Sequence, residues 1–352
     1  MTSLIPGTPG RPDFRLNRPS ALIAALPAML GFIPEDSLVV VTLADGLVEA
    51  ILRRDLDDLD DPDNAALAIL AEVLGPGPAD AVIAVVISAD LGERESGDII
   101  RRLAIHLEHQ GISLIAGHMV DRVSPQGWWR CYDGCGAGGP VDDPDCSPLT
   151  AAAVLAGRTV HRHREDLVAL IAPTDTRRTC VLAASLRRPS RGQADHAAAD
   201  RRAVNRVMRA ACRTAEFRPL SNRELLGIAR SLTVVRVRDT VCALAVGVLA
   251  DDVERLWLAL SRLLPAPWRA EALVLFGFSA YVRGDGPLAG VALEAALIVE
   301  PEHRLGQLLM SALRAGMRPD EIRTLADTGF RLAHELGISL PPRSIQGSRR
   351  GC

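Results

Sequence analysis

From Ser20 onward the chain alternates apolar runs with short breaks rich in turn-forming residues. Ser20 can cap a helix over 21–30, Gly31 follows its last apolar position where a left-handed residue belongs, and Pro34 prevents resumption. Leu38 to Leu43 and Leu47 to Leu52 are rich in β-formers, and Ala44-Asp45-Gly46 between them predicts a hairpin. Asp61 as N-cap and Pro62 at the first helical position predict a helix from about 63 to 74, stopped by Gly75-Pro76. "AVIAVVIS" and "ISLIAGHMV" are continuous apolar runs of the kind buried on both faces, with a helix of about 96–110 between them. Ser124-Pro125-Gln126-Gly127 then turns the chain into a short strand, "WWRCY". The order helix, hairpin, helix, strand, helix, strand, strand predicts a three-layer α/β domain with a mixed sheet over 20–146.

At Ser147 the period changes. "SPLTAAAVLAG" reads as a capped helix, and almost everything after it is alanine, leucine and arginine at helical spacing. Helices are predicted near 163–171, 174–187, 194–216, 221–232, 239–249, 251–264, 268–283, 287–299, 303–315 and 319–335. The expected organisation is a loose segment 1–19, the α/β domain, an all-helical domain 147–340 and a loose tail 341–352. Gly277, Ala289, Leu293, Ala296 and Pro301 fall at the mutual spacings of a tetratricopeptide unit, where small residues let two helices approach closely. The match covers one unit and lacks its tryptophan and tyrosine. It predicts tetratricopeptide-like helical hairpins within a lobe, not a repeat array.

Composition narrows the chemistry. With 352 residues, 48% of them hydrophobic and 24% charged, the expectation is a soluble protein of two domains. The formal net charge of −3 gives no global field toward nucleic acid or an anionic membrane. All 40 basic residues are arginine, so Schiff-base lysines and the lysine of a phosphate-binding P-loop are excluded. The seven cysteines are an odd, scattered set, unlike a secreted disulfide framework. Arg11, Arg15 and Arg18 before an apolar run imitate a signal peptide, but Pro27 and Gly31 interrupt the run and no cleavage site follows. Both apolar pieces fall short of the ~20 residues of a membrane span. A cytoplasmic location without membrane contact is expected.

Four blocks together carry a family resemblance. They are "LIAALPAMLGFIPEDSLVVV" (22–41), "WWRCYDGC" (128–135), "GPVDDPDCSPLTAAAVLAGRTV" (139–160) and "GFSAYVRGDGPLAGVALEAAL" (277–297). The chain resembles the bacterial domain-of-unknown-function family numbered 4192, over roughly 18–315. The resemblance implies an α/β front and a helical rear, and no activity.

Several constellations suggest chemistry. Cys131, Cys135 and Cys146 have C-x3-C-x10-C spacing, and with His118 or His161 they could hold zinc; ordinary thiols are the plainer alternative, and no other cofactor is predicted. The run Asp55, Asp57, Asp58, Asp60, Asp61 and Asp63 suggests calcium but lacks the EF-hand alternation and its glycine. Gly134 to Gly139 satisfies a dinucleotide pattern literally, yet Pro140 and Pro144 follow instead of a helix, which leaves a flexible loop. His106, Glu108 and His109 end a helix, where the two chargeable histidines complement its dipole. Arg202, Arg206, Arg209 and Arg213 share one helical face within the arginine-rich stretch 187–218 and could track phosphates.

In open α/β sheets ligands bind beyond the carboxyl ends of strands. Those ends carry Ser88 and Asp90, and Asp121 and Arg122, with Asp90 and Asp121 as acid–base candidates. Asp36 joins them only if its strand runs opposite to the others. Helix caps and surface ion pairs explain the same residues.

The expected function is a non-catalytic binding or scaffold role of the helical lobe, with a protein partner or self-association. The alternatives are an enzyme with a ligand site at the sheet end facing that lobe, and nucleic-acid binding through the arginine stripe.

Overall fold

Asp45 and Gly46 both hold positive φ, 51° and 76°, as a two-residue hairpin turn matched to strand twist requires. They join β1 (Ser37–Ala44) to β2 (Leu47–Asp55). The computed structural model describes residues 18–59, 65–75, 79–155, 158–188 and 196–342. It divides into two compact units, one running to Arg164 and including Arg314–Gly316, the other made of Glu165–Leu313 and the chain from Met317 onward.

The first unit opens with α1 (Pro19–Leu30), which begins with Pro19 at its first position, so Ser20 lies inside the first turn and does not cap it. Gly31 ends the helix at φ 76° and returns its N–H to Pro27 O at 2.8 Å. After the hairpin come α2 (Ala65–Leu74), β3 (Ala81–Ile87), α3 (Glu93–His109), β4 (Ser113–Val120), β5 (Trp128–Cys131), β6 (Gly138–Pro140) and α4 (Pro148–Leu155). The sheet is mixed and six-stranded, in the order β2-β1-β3-β4-β5-β6. Only β3 and β4 are parallel. Leu38, Val40, Val82, Ala84 and Val86 on one face meet Leu67, Leu70 and Leu74 of α2 and Ile100, Leu103 and Leu107 of α3. Each valine, leucine or isoleucine among them contributes about 2 kcal/mol on burial. Val39, Val41, Val85 and Ile87 on the other face are equally buried, so both faces of the central strands are covered.

Strand β6 corrects the expectation of a free glycine-rich loop. Gly138 and Gly139 pair with Arg130 and Trp129, and a Cβ on Gly138 would meet Trp129 O at 2.9 Å. The glycines let one backbone lie against another, which a side-chain pattern does not reveal. The expected domain boundary at 147 falls one helix before the division at 164, because α4 packs on α1. Beyond α4 the chain returns to the first corner, where Ile33 N donates to His161 O at 3.1 Å and His161 N to Gly31 O at 2.7 Å.

The second unit is helical: α5 (Arg164–Ile171), α6 (Thr176–Leu186), α7 (His196–Ala215), α8 (Asn222–Leu232), α9 (Val235–Cys242), α10 (Ala250–Leu263), α11 (Trp268–Arg283), α12 (Gly286–Val299), α13 (Arg304–Arg314), α14 (Pro319–Arg323) and α15 (Leu325–Glu335). Helix α11 is buried without interruption from Ala272 to Val282, as a helix apolar all round must be. A Cβ on Gly277 would stand 2.9 Å from Leu293 Cγ, so the small residue does admit the close approach of α11 and α12. Two predicted spans differ. The 239–249 segment starts earlier, as α9, and passes into a 3-10 turn at Ala243–Val246; the 319–335 segment divides at Thr324 into α14 and α15. Among the described residues no helix is long and apolar enough to cross a membrane.

Candidate functional site

Strand direction settles where the sheet-end residues lie. Because β1 is antiparallel to β3, Ser37 stands opposite Ile87, and Asp36 comes beside Ser88. The Ser88 hydroxyl donates to Asp36 Oδ1 at 2.7 Å. Parallel pairing sets Ile87 beside Val120, so Asp121 and Arg122 share this end. Most of these groups are engaged locally. Ser88 Oγ accepts the N–H groups of Asp90 at 3.3 Å and Leu91 at 3.2 Å. Asp121 Oδ1 accepts those of Arg122 at 2.7 Å and Trp128 at 2.6 Å, and its Oδ2 lies 3.3 Å from Arg122 Nε. Asp90 is exposed. Arg53 donates to Ser37 Oγ at 2.9 Å and lies over the Phe32 ring, while His163 Nδ1 stands 3.6 Å from Glu35 Oε2. The structure gathers Asp36, Ser88, Asp90, Asp121 and Arg122 at one end, and it uses most of them to turn the chain.

A second cluster forms where β5 leaves the sheet. One ligand atom each from Cys131, Asp133 and Cys135 lie within 4.8 Å of one another. Asp133 accepts the Cys135 N–H at 2.9 Å, and that bond with the neighbouring thiols holds its carboxyl down at about 2. Burial and the hydrogen bond to Asp133 push the Cys131 thiol up to about 11. Cys146 lies outside this cluster: its Sγ is 3.6 Å from Asp143 Oδ2, whose charge raises its pKa. His161 contributes its backbone to the 31–33 corner. His118 is paired with Cys131 across β4 and β5, and burial lowers its pKa against the opposing pull of Asp133. Asp133 was missed because a lone aspartate before glycine reads as turn chemistry. In the acidic run, Asp57 and Asp58 form a 3-10 turn, and Asp60, Asp61 and Asp63 lie outside the described residues.

The third assembly is a groove of about 720 Å³ between α7 and α8, lined by Arg206, Arg209, Arg213, Arg223 and Arg230, with Glu224, Ala210, Leu226 and Gly227. Sequence spacing found three of these arginines; Arg223 and Arg230 come from the next helix. The stripe is not uniform. Arg206 Nη1 donates to Gly227 O at 3.1 Å and Ser231 Oγ at 3.0 Å, tying the helices together. Arg213 pairs with Glu224 at 3.2 Å, and Arg230 donates to Ser185 O at 2.8 Å and Arg188 O at 3.0 Å. Arg209 and Arg223 are exposed and make no ion pair with the described residues. Arg202 is exposed and does not line the groove.

A smaller cavity of about 270 Å³, not foreseen, is lined by Thr233, Trp268, Glu271 and His303 among others. His303 Nδ1 accepts the Gly306 N–H at 3.1 Å, and its Nε2 stands 3.1 Å from Glu271 Oε2. No sequence signal links residues 32 positions apart on α11 and the α12–α13 turn. His106 and His109 occupy the last turn of α3.

No curated protein and no solved structure matches the chain. A family model does: the one described as Domain of unknown function (DUF4192) matches residues 19–320, and the chain belongs to that family.

Proposed function

We propose that the protein is a non-catalytic binding protein that takes an acidic segment of a protein partner on its helical unit. The observation that supports this most is the α7–α8 groove, with five arginines against one glutamate. Its volume is of the order of ligand pockets generally. The exposed guanidinium groups of Arg209 and Arg223 are free to fork onto carboxylates or phosphates. The helical hairpins around it give a rigid scaffold, and the repeat-like reading of α11 and α12 belongs to this proposal. So does a cytoplasmic location: the six cysteines among the described residues are free thiols, as a reducing compartment keeps them.

Nucleic-acid binding is the second reading, because Arg206, Arg209 and Arg213 of the stripe do share the groove. Among the described residues no aromatic side chain lines it, so bases would find no stacking platform there. An enzymatic site at the sheet end has less support, since Asp36, Ser88 and Asp121 are already engaged in turns.

The test is fluorescence anisotropy with a labelled poly-glutamate peptide and a labelled single-stranded oligonucleotide over stepped salt. The expected result is peptide binding that weakens with salt and falls at least tenfold on joint Arg209→Ala and Arg223→Ala substitution. Preferential oligonucleotide binding, with a log–log salt slope of about −2 or steeper, would replace the leading reading with the second. Binding of neither probe overturns both.

A further inference from the structure

Antiparallel pairing of β4 with β5 sets His118 directly opposite Cys131. Tyr132 N donates to Gly117 O, and Asp121 N to Trp128 O, so the hydrogen-bonded pairs are the flanking ones. His118 and Cys131 therefore form a non-hydrogen-bonded pair, the kind in which side chains stand closest. Both point away from α3: a Cβ on Gly117 would strike Ile100 and Tyr132, and Met119 and Tyr132 pack on the α2–α3 core. Trp129, two residues before Cys131 and on the same face, meets the imidazole edge-on with ring centroids 5.3 Å apart. This contact fixes the ring. His118 is 5% exposed, and its Nδ1 is buried without a hydrogen-bond partner.

A buried imidazole nitrogen left unsatisfied is destabilising, and such a group calls for an explanation. Cys131, the residue directly across the strands from His118, belongs to the Cys131–Asp133–Cys135 cluster. We propose that His118, Cys131, Asp133 and Cys135 form a structural zinc site that clasps the β5–β6 hairpin to β4. Two sulfurs, one nitrogen and one carboxylate oxygen make a closed tetrahedral set, the form that structural zinc takes. Cys146 is not part of it, so the site is not the three-cysteine set suggested by spacing.

The ring is fixed, and the loop is what closes. His118 stands outside the 4.8 Å cluster of the other three, and Cys135 and Asp133 are exposed. Gly134 and Gly136 hold φ of 73° and 80°, backbone that lets the loop curl around an ion. Asp133 already accepts the Cys135 N–H at 2.9 Å, which keeps its carboxylate beside the two sulfurs. On binding, two Zn–S bonds form and each thiol gives one proton to buffer, while His118 enters as the neutral ring. No oxidant or reductant is involved. The site lies in the α/β unit and is independent of the arginine groove.

The test uses the full chain, purified with reductant and without chelator. Elemental mass spectrometry should find about one zinc per chain. After chelation, added Co²⁺ should give the thiolate-to-metal charge-transfer band and intense visible bands of a tetrahedral S2NO site. Cys131→Ser and Cys135→Ser should each abolish the charge-transfer signature or reduce it by about half, Cys146→Ser should leave it unchanged, and His118→Ala should weaken cobalt affinity at least tenfold. Cys135 is exposed, so its variant keeps the fold intact, and circular dichroism checks this. Zinc well below stoichiometric with no cobalt–thiolate band in the parent protein overturns the site. A spectrum and affinity unchanged in His118→Ala overturn the histidine's part, and a spectrum lost in Cys146→Ser overturns this ligand set.

Discussion

The Ser88 hydroxyl donates a 2.7 Å hydrogen bond to Asp36 Oδ1 across 52 residues of sequence, joining the start of β1 to the end of β3. Asp36 holds φ of 39°, a left-handed conformation that aspartate and asparagine tolerate better than most. Two effects therefore act on any substitution. Asp36→Asn keeps an acceptor oxygen and the tolerance, and should be nearly neutral. Asp36→Gly relieves strain and loses the bond; Asp36→Ala loses the bond and keeps the strain, at about 1–2 kcal/mol. The midpoints of urea unfolding should rank Asn, Gly, Ala, and alanine equal to asparagine would show that neither bond nor strain matters.

That relationship marks the limit of what the sequence discloses. Gly31, Asp45-Gly46 and the apolar runs of β3 and β4 identify their elements by local chemistry, because a left-handed turn or a doubly buried strand restricts residue type. The sense of β1 relative to β3 is a property of pairing, and no residue in either strand encodes it. Hence Ser88, Asp90, Asp121 and Arg122 could be grouped by rule, and Asp36 could not be added to them until the pairing was known. The same reason hides Arg223 and Arg230, which join the α7 stripe only through the packing of α8. Strand β6 was illegible for a different reason: three residues, two of them glycine, carry no alternation.

Gly329 on α15 makes a sharper packing test. A Cβ there would meet Asp239 O at 2.7 Å, and Ala243 Cβ and N each at 2.9 Å. Two of these atoms are backbone, which cannot swing aside. Alanine gains about 1 kcal/mol of helix propensity over glycine, against roughly 1–3 kcal/mol or more for overpacking. Overpacking wins, so Gly329→Ala should lower the melting temperature of the helical unit. A raised melting temperature would mean that α15 is free to retreat from α9.

Glu224 connects stability to the groove. The Ser221 hydroxyl and N–H, at 2.7 and 2.8 Å, lower its pKa. A carboxyl depressed in the folded state adds stability that is full above its unfolded pKa. That stability disappears as pH falls through the folded value, so the loss begins in the ordinary carboxylate range and continues below it. Glu224→Gln keeps the capping-box partner while removing this acid-dependent part. It also removes the one negative group of the groove and releases Arg213. Unfolding midpoints should therefore depend less on pH between about 5 and 3, and poly-glutamate affinity should rise a few-fold at low salt. An unchanged affinity would separate the groove from anion binding.

Two arginine–glutamate pairs should respond very differently to substitution. Arg283 forks onto Glu254 with Nε–Oε2 at 3.1 Å and Nη2–Oε1 at 2.8 Å, and reaches Asp285 Oδ2 at 3.3 Å. Asp285 in turn accepts the Leu288 N–H at the start of α12, so one guanidinium links α10, the end of α11 and a helix cap. The side chains are 27% and 20% exposed, where attraction is poorly screened. Lysine supplies charge without the planar fork. Arg283→Lys should cost about 1–2 kcal/mol, and Glu254→Ala about 1–3 kcal/mol. Because both weaken the same interaction, the double variant should fall short of their sum by about 1 kcal/mol. Arg331 and Glu335, also paired at 2.9 Å, are 63% and 41% exposed, and Arg331→Ala should stay within about 0.5 kcal/mol. Strict additivity at 283 and 254 in urea unfolding would reduce that fork to the rank of the surface pair.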